Sequence, residues 1–369
     1  MPMRVAFFLP HFGHGGAEGV VLRLLQGLDR RRFAPILALQ RARGELLANV
    51  PADVPVLPLR NPRPPRCVAE LARLFADHRV ALSVTVTNAT NLYALAAARL
   101  AGTGVRTFVT DHTPLSAFLA DAPFPRLRRA AIRSLYPLAS LSGGPLDRIG
   151  AEVSTMLGAA APPFVALPNP VVERVGPLRR PSGNMRRVVS VGRLAAEKRF
   201  DLLIDAFAAL VEALPAARLT IHGDGPERGR LEARISALGL SRRVRLAGYA
   251  ADLDAVHGAA DLFVCTSRRE GLGNAMIEAM ARGVPVLSVD CPFGPRRLLR
   301  DGAAGRLVED DSPAAIARAM RDVLADEPLR ARYVEAAFEV ARGYQVAAAV
   351  SAYEAAFDRA LGLEARQAA

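Results

Sequence analysis

The chain has 369 residues, 51% of them apolar, and 48 Lys plus Arg stand against 36 Asp plus Glu for a net charge of +12. That length is long for one core and suits two domains, and the apolar content excludes a disordered chain. No stretch reads as membrane-spanning: of the two longest uncharged runs, Val80–Ala98 carries two Asn and three Thr, and Val153–Val172 carries four Pro.

Taken in chain order, apolar strand-like runs alternate with helical patterns, the mark of a parallel sheet wrapped by helices. Val5–Leu9 reads as the first strand rather than a signal peptide, because its apolar core is too short. A Gly-rich turn and a helix near Ala17–Leu28 follow, then strands at Ala34–Leu39, Ala81–Val86 and Val105–Thr110. The segment Arg126–Tyr136 reads as a basic amphipathic helix with Arg126, Arg129 and Arg133 on one face and Leu127, Ala131 and Leu135 on a neighbouring stripe. Asp121–Pro125 before it, with two Pro, reads as a mobile acceptor loop. A Pro/Gly/Arg-rich stretch from Pro168 to Arg187 breaks the pattern. A second series then runs through strand Val188–Val191, helix Phe200–Leu214, strand Arg218–His222, helix Gly229–Leu238 and strands near Val244–Leu246, Leu262–Val264 and Val284–Val289. Helices Ala314–Leu324 and Val346–Leu361 close it. The expected organisation is an N-terminal domain of residues 1–172, a linker of 173–187, a C-terminal domain of 188–345 and a last helix, 346–369, packed back on the N-terminal domain.

The charge is uneven. Residues 1–175 hold 20 Arg against 11 acids, so the first half carries +9 of the +12. An anionic partner is expected there. Basic segments without interleaved aromatics exclude the usual nucleic-acid modules and leave an anionic lipid surface or a phosphate-bearing acceptor. For the Arg126 helix, an ordinary solvated face over a core stripe competes with lipid contact. Cys67, Cys265 and Cys291 lack metal or redox spacing and suit a reducing cytosol. No His/Cys/Asp cluster has metal spacing, so neither a metal nor another cofactor is expected.

The segment Glu270-Gly-Leu-Gly-Asn-Ala-Met-Ile-Glu278 sets two carboxylates eight residues apart around a helix expected at Asn274–Arg282, apolar on nearly every side and so read as buried. Glu270 precedes the helix start, where backbone N–H groups favour an anion. A carboxylate beside an anion site suggests a ligand carrying both hydroxyls and phosphates. In Val191-Gly-Arg193-Leu-Ala-Ala-Glu-Lys198, a strand ends in a Gly and a loop carries two cations toward the ligand side of the sheet. Lys198 is the single lysine among 47 arginines. The turn Gly13-His-Gly-Gly-Ala-Glu-Gly19 has Gly-x-Gly but lacks the third Gly of a dinucleotide fingerprint, which disfavours NAD. His112 lies in Thr110-Asp-His-Thr113 at a strand end, equally compatible with a structural and a ligand role; His11 and His14 flank the Gly turn.

Together these residues resemble a known family. Glu-x7-Glu before a Gly-Val-Pro-Val strand, Gly-Arg-Leu-x3-Lys, Gly223-Asp-Gly-Pro-Glu, Gly15-Gly-Ala-Glu18, Leu167-Pro-Asn-Pro-Val and Asp290-Cys-Pro-Phe-Gly-Pro295 are similar, in order and spacing, to the retaining glycosyltransferases of family 4. Arg297 departs from the pattern, since many relatives carry an acid there. The resemblance implies the GT-B fold, two Rossmann-like domains facing each other across a cleft, and a nucleotide-sugar donor, UDP-linked for preference. It implies that Glu278 binds the ribose hydroxyls and Glu270 holds hydroxyls of the transferred sugar. Leu272, Gly273 and Asn274 would lie near the sugar and distal phosphate, and Gly15, Gly16 and Gly223 would let backbone approach the donor. Arg193 and Lys198 would neutralise the departing diphosphate, and His112 would contact the sugar. The acceptor expected is a surface glycan or a lipid-linked glycan, met in the cytoplasm with peripheral membrane contact at Arg126, Arg129 and Arg133. Rival readings are a GT-B-type UDP-sugar epimerase, separable by incubating UDP-sugars without acceptor, and a basic membrane-binding protein with a degenerate cleft.

Overall fold

Met-Arg-Val-Ala-Phe-Phe-Leu forms β1 (Met3–Leu9), whose last five side chains are all buried. Burial of consecutive residues on both faces is what a central parallel strand under helices requires. The computed structural model describes residues 1–120, 123–176, 186–250 and 252–363. Two units divide the chain, Met1–Val171 with Val346–Ala369, and Val172–Gln345.

In the first unit β1 is followed by α1 (Gly16–Gly27), β2 (Phe33–Leu39), β3 (Val56–Pro58), α2 (Arg66–Asp77), β4 (Leu82–Thr85), α3 (Asn88–Ala101), β5 (Arg106–Thr110), α4 (Leu115–Ala120), α5 (Pro125–Leu135), β6 (Leu141–Gly144), α6 (Asp147–Leu157) and β7 (Phe164–Ala166). Its strands lie in the order β3-β2-β1-β4-β5-β6-β7 and every pairing is parallel. In the second unit come β8 (Arg187–Val191), α7 (Phe200–Ala213), β9 (Arg218–His222), α8 (Arg228–Ala237), β10 (Val244–Gly248), α9 (Leu253–Gly258), β11 (Leu262–Cys265), α10 (Asn274–Ala281), β12 (Val286–Val289), α11 (Gly294–Leu298), β13 (Arg306–Val308), α12 (Pro313–Ala325) and α13 (Glu327–Arg342). Its order is β10-β9-β8-β11-β12-β13, again parallel throughout. The α/β, parallel-sheet expectation is met in both halves. In each sheet the strand order reverses beside the first strand, between β1 and β4 and between β8 and β11. Such switch points are where open α/β sheets bind ligands, beyond the carboxyl ends of their strands.

The last helix, α14 (Val346–Leu361), belongs to the first unit. It packs its apolar side onto that unit's core, where Tyr353 and Phe357 join Phe7, Phe33 and Phe108. Phe357 meets Phe33 edge to face at 5.5 Å and Phe7 at 6.2 Å. In the second unit the start of β8 is pinned to β11. The buried carboxylate of Asp261 accepts the N–H groups of Arg186 and Arg187, both at 2.9 Å, and the Arg187 guanidinium. Burial works to raise the Asp261 pKa, but those hydrogen bonds outweigh it and hold the carboxyl below its usual range.

Several expectations change. Residues 177–185 of the expected linker lie outside the described residues, as do Asp121 and Ala122 of the expected acceptor loop. Val172 instead joins the second unit, its N–H donating to the Tyr344 carbonyl at 3.0 Å. β3, β6, β7, β13 and the sixteen-residue α13 were not anticipated. The α10 helix is not buried all round: Met276, Ile277, Ala279, Met280 and Ala281 are buried, while Asn274, Ala275 and Glu278 are half-buried. Glu278 therefore avoids the full cost of a charge in a dry core. Among the described residues no helix is long and apolar enough to cross a membrane.

Candidate active site

The second unit assembles its chemistry at the switch point. β8 ends at Val191, and Gly192 leads the loop that carries Arg193 and Lys198. β11 ends at Cys265, and the loop after it carries Ser267 and Glu270 toward α10. The two loops are tied by Thr266, whose hydroxyl donates to the Lys198 and Arg199 carbonyls at 3.1 and 3.0 Å, and by Arg268 N–H to the Glu197 carbonyl at 2.8 Å. A third loop, after β9, presses on the first. A side chain at Gly223 would put its Cβ 1.9 Å from the Gly192 carbonyl oxygen, and the backbone there has φ +135°. Glycine is required on both counts.

Within this frame Lys198 and Glu270, 72 residues apart, meet directly. Lys198 Nζ donates to Glu270 Oε1 at 2.6 Å, and Ser267 Oγ donates to the same oxygen at 2.6 Å. Burial pulls the Lys198 pKa down, but the Glu270 carboxylate more than offsets it, so the ammonium stays charged. The Cys265 thiol close by is pushed up by burial and stays protonated. Arg193 is more exposed and bonds to Glu197 on its own loop at 2.5 Å. Glu270 also bridges to Phe293, whose backbone (φ 84°, ψ −93°) lies where non-glycine residues are strained. The next residue must be glycine, because a Cβ at Gly294 would stand 2.1 Å from the Leu272 carbonyl oxygen. Leu272 is buried, Gly273 caps α10 at φ 98°, and Asn274 begins the helix. The Met276 and Ile277 N–H groups donate to the Gly273 carbonyl at 2.9 and 3.3 Å, and the positive end of the helix dipole here favours an anion.

The first unit holds the remaining candidates. Gly15 caps α1, and a Cβ there would fall 1.9 Å from Glu18 Oε2; Gly16 opens the helix. His11 Nδ1 lies 3.7 Å from Glu18 Oε1. His112 follows β5, half-buried, with Nε2 itself buried and without a hydrogen-bond partner among the described residues. Burial pushes its pKa down to about 4, so the ring is neutral at physiological pH. Sequence reading missed its neighbour Asp111, fully buried and surrounded by Asn88, Asn91 and Tyr136. The visible signal was an Asn-x-x-Asn pair opening α3.

The α5 expectation needs correction. Arg126, Arg129 and Arg133 do share one exposed face, lining an open hollow of about 640 Å³. The apolar stripe holds in part: Ala131 and Leu135 pack half-buried against the core around the buried Ile132, while Leu127 is 69% exposed and the preceding Phe124 76% exposed. Arg128 folds over Phe118, 4.9 Å from the ring centre. Among the described residues no group of three His, Cys, Asp or Glu side chains is placed to hold a metal ion.

Two family models match the chain, Glycosyltransferase Family 4 over residues 14–171 and Glycosyl transferases group 1 over residues 180–340. The lipopolysaccharide core biosynthesis glycosyltransferase LpsE of Rhizobium meliloti is 39% identical over 156 residues, 42% of this chain and 44% of that protein. The poly(glycerol-phosphate) alpha-glucosyltransferase of Bacillus subtilis is 32% identical over 167 residues, 45% of this chain and 25% of that protein. The chain thus spans under half the length of these curated relatives. The crystal structure of Anabaena HepE in complex with UDP and glucose superposes with a TM-score of 0.80 at 21% identity, covering 96% of this chain and 99% of that one. That likeness establishes the fold as GT-B.

Proposed function

We propose that this chain, which belongs to the GT-B glycosyltransferases of group 1, moves a hexose or N-acetylhexosamine from a UDP-linked donor to a surface-glycan or lipid-linked acceptor with retention of configuration. The observation that carries this reading is the Lys198–Glu270 contact at 2.6 Å beside the start of α10. It sets a fixed cation, a hydroxyl-binding carboxylate and a helix N-terminus in one place, which is what a diphosphate joined to a sugar needs. The structure of HepE with UDP and glucose supports the choice of donor, and the LpsE likeness supports a glycan acceptor. The alpha-glucosyltransferase relative supports retention, because UDP-glucose is itself α-linked.

In this mechanism Glu278 takes the two ribose hydroxyls, one carboxylate accepting from both members of the diol. Glu270 holds hydroxyls of the transferred sugar. The backbone at Leu272, Gly273 and Asn274 lies near the distal phosphate, and Gly223 gives room for it. Arg193 and Lys198 stabilise charge growing on the leaving diphosphate. Gly15 and Gly16, lacking side chains, let backbone approach the donor phosphates, and His112, neutral, contacts the sugar. Glu270, already engaged by Lys198 and Ser267, positions rather than attacks, and the leaving diphosphate accepts the acceptor's proton on the same face.

The test begins with thermal shift across UDP-glucose, UDP-galactose, UDP-N-acetylglucosamine and their ADP- and GDP-linked counterparts, where a UDP-sugar should give the largest stabilisation. With that donor, Glu278→Ala should raise KM about tenfold or more, from the loss of two charge-assisted hydrogen bonds, and change kcat less than about threefold. An unchanged KM removes Glu278 from the donor site.

Exposed Phe124 and Leu127 beside Arg126, Arg129 and Arg133 favour a second contact, with an anionic membrane surface that carries the acceptor. Changing all three arginines to Glu should abolish co-sedimentation with phosphatidylglycerol vesicles while leaving the thermal shift by UDP-sugar intact. Equal vesicle binding by the variant removes α5 from that role.

A further inference from the structure

The corner between β5 and α4 contains a buried polar cluster that the proposed mechanism does not use. Asp111 is 0% exposed, and three donors converge on its Oδ1: Asn88 Nδ2 at 2.7 Å, Asn91 Nδ2 at 2.8 Å and the Tyr136 hydroxyl at 2.9 Å. The same two asparagines reach past it. Asn91 Nδ2 also donates to the Thr110 carbonyl and Asn88 Nδ2 to the Thr113 carbonyl, each at 3.2 Å. Both ends of the four-residue turn Thr110–Thr113 are thereby held by the first turns of α3, and its middle by the carboxylate. The backbone is fixed as well. Asp111 N–H donates to the Gly143 carbonyl at 2.9 Å, and the Asp111 carbonyl lies so close to Gly144 that a Cβ there would stand 2.8 Å away. Inside this restrained turn His112 Nε2 has no hydrogen-bond partner among the described residues.

We propose that Asp111 is a positioning residue: with Asn88, Asn91 and Tyr136 it clamps the Thr110–Thr113 turn so that His112 is presented to the transferred sugar in one orientation. The proposal rests on the reading of His112 as a sugar contact. A turn that had only to redirect the chain would not require a buried carboxyl, whose desolvation is costly even when hydrogen-bonded. The cost is visible here, since burial pushes the Asp111 carboxyl up to about 7 against the opposing pull of Tyr136, Asn91 and Asn88. Three converging donors on one oxygen restrict rotation of the side chain and of the peptide units on both sides. A reacting sugar is sensitive to that restriction, because a misplacement of about 1 Å in a positioning group costs roughly a hundredfold in rate.

The experiment measures UDP release from the UDP-sugar chosen by the thermal-shift panel, without acceptor, for wild type, Asp111→Ala, Asp111→Asn, His112→Ala and the Asp111→Ala/His112→Ala double variant. Asp111→Ala should lower kcat about tenfold or more with donor KM within about twofold, because the side chains assigned to UDP, Glu278, Arg193 and Lys198, lie on the other unit. Asp111→Asn keeps an acceptor at Oδ1 and should recover most of the rate. In the His112→Ala background the Asp111 change should cost less than about twofold more. Losses that multiply in the double variant overturn the clamp while leaving His112 in place. A His112→Ala enzyme at wild-type rate overturns the sugar-contact reading itself, and the clamp with it. Should Asp111→Ala fail to fold by circular dichroism, Tyr136→Phe removes one of the three donors. A kcat loss of about threefold in Tyr136→Phe that vanishes in the His112→Ala background supports the clamp, and an undiminished kcat overturns it.

Discussion

Lys198→Ala should lower kcat for sugar transfer by roughly a hundredfold or more, about 3 kcal/mol or above, with the protein still folded. The expectation follows from where the ammonium sits. It is the proposed neutraliser of the leaving diphosphate, and the Glu270 carboxylate keeps it charged in spite of burial. Alanine removes that charge and also leaves Glu270 with the Ser267 hydroxyl in place of an ion pair. Lys198→Arg tests geometry separately from charge. A guanidinium is larger and planar, so it does not reproduce the 2.6 Å contact to Glu270 Oε1 from the same backbone position, and it should restore only part of the rate. Steady-state UDP release with saturating donor is the measurement. Wild-type turnover in Lys198→Ala would falsify the leaving-group role and remove the strongest argument for the proposed chemistry.

Phe357→Ala should be the most destabilising single change in the first unit, costing about 3–5 kcal/mol in urea unfolding. Phe357 is completely buried on α14 and touches Phe7, Phe33, Phe108 and Tyr353 edge to face or nearly so. Its ring joins a helix at the end of the chain to β1, β2 and β5, so truncation leaves a cavity between elements that cannot close without moving α14. Each edge-to-face contact adds a fraction of a kcal/mol beyond area burial. A loss below about 1 kcal/mol would mean that α14 is dispensable to the first unit's core.

Much of the architecture was legible because a parallel strand buried on both faces shows up as a plain apolar run. Met3–Leu9, Phe33–Leu39, Arg106–Thr110 and Arg218–His222 were found that way to within two residues. The short strands were not. Leu141-Ser-Gly-Gly has no β-branched residue and depends on its neighbours, β5 and β7, for its conformation. The α13 helix was passed over although Tyr333, Val334, Ala337, Phe338 and Ala341 repeat at helical spacing, because charged residues stand between them. On α5 the periodic pattern was right for Ala131 and Leu135 but not for Leu127, which fell on the expected apolar stripe yet is 69% exposed.

What the sequence by itself determined was the class of fold, the family, and the residue types available for chemistry. These follow from local patterns, namely runs, spacings and glycines whose necessity the strand ends impose. What only the tertiary structure decided was which of those residues meet. Glu270 and Lys198 are 72 positions apart, and their contact exists because β8 and β11 are neighbours at the point where the strand order reverses. Asp111 stood unremarked beside His112 until the fold brought Asn88, Asn91 and Tyr136 onto one oxygen. Hydrogen bonds and ion pairs act over a few ångströms, and sequence separation carries no information at that scale until a sheet has set its strand order.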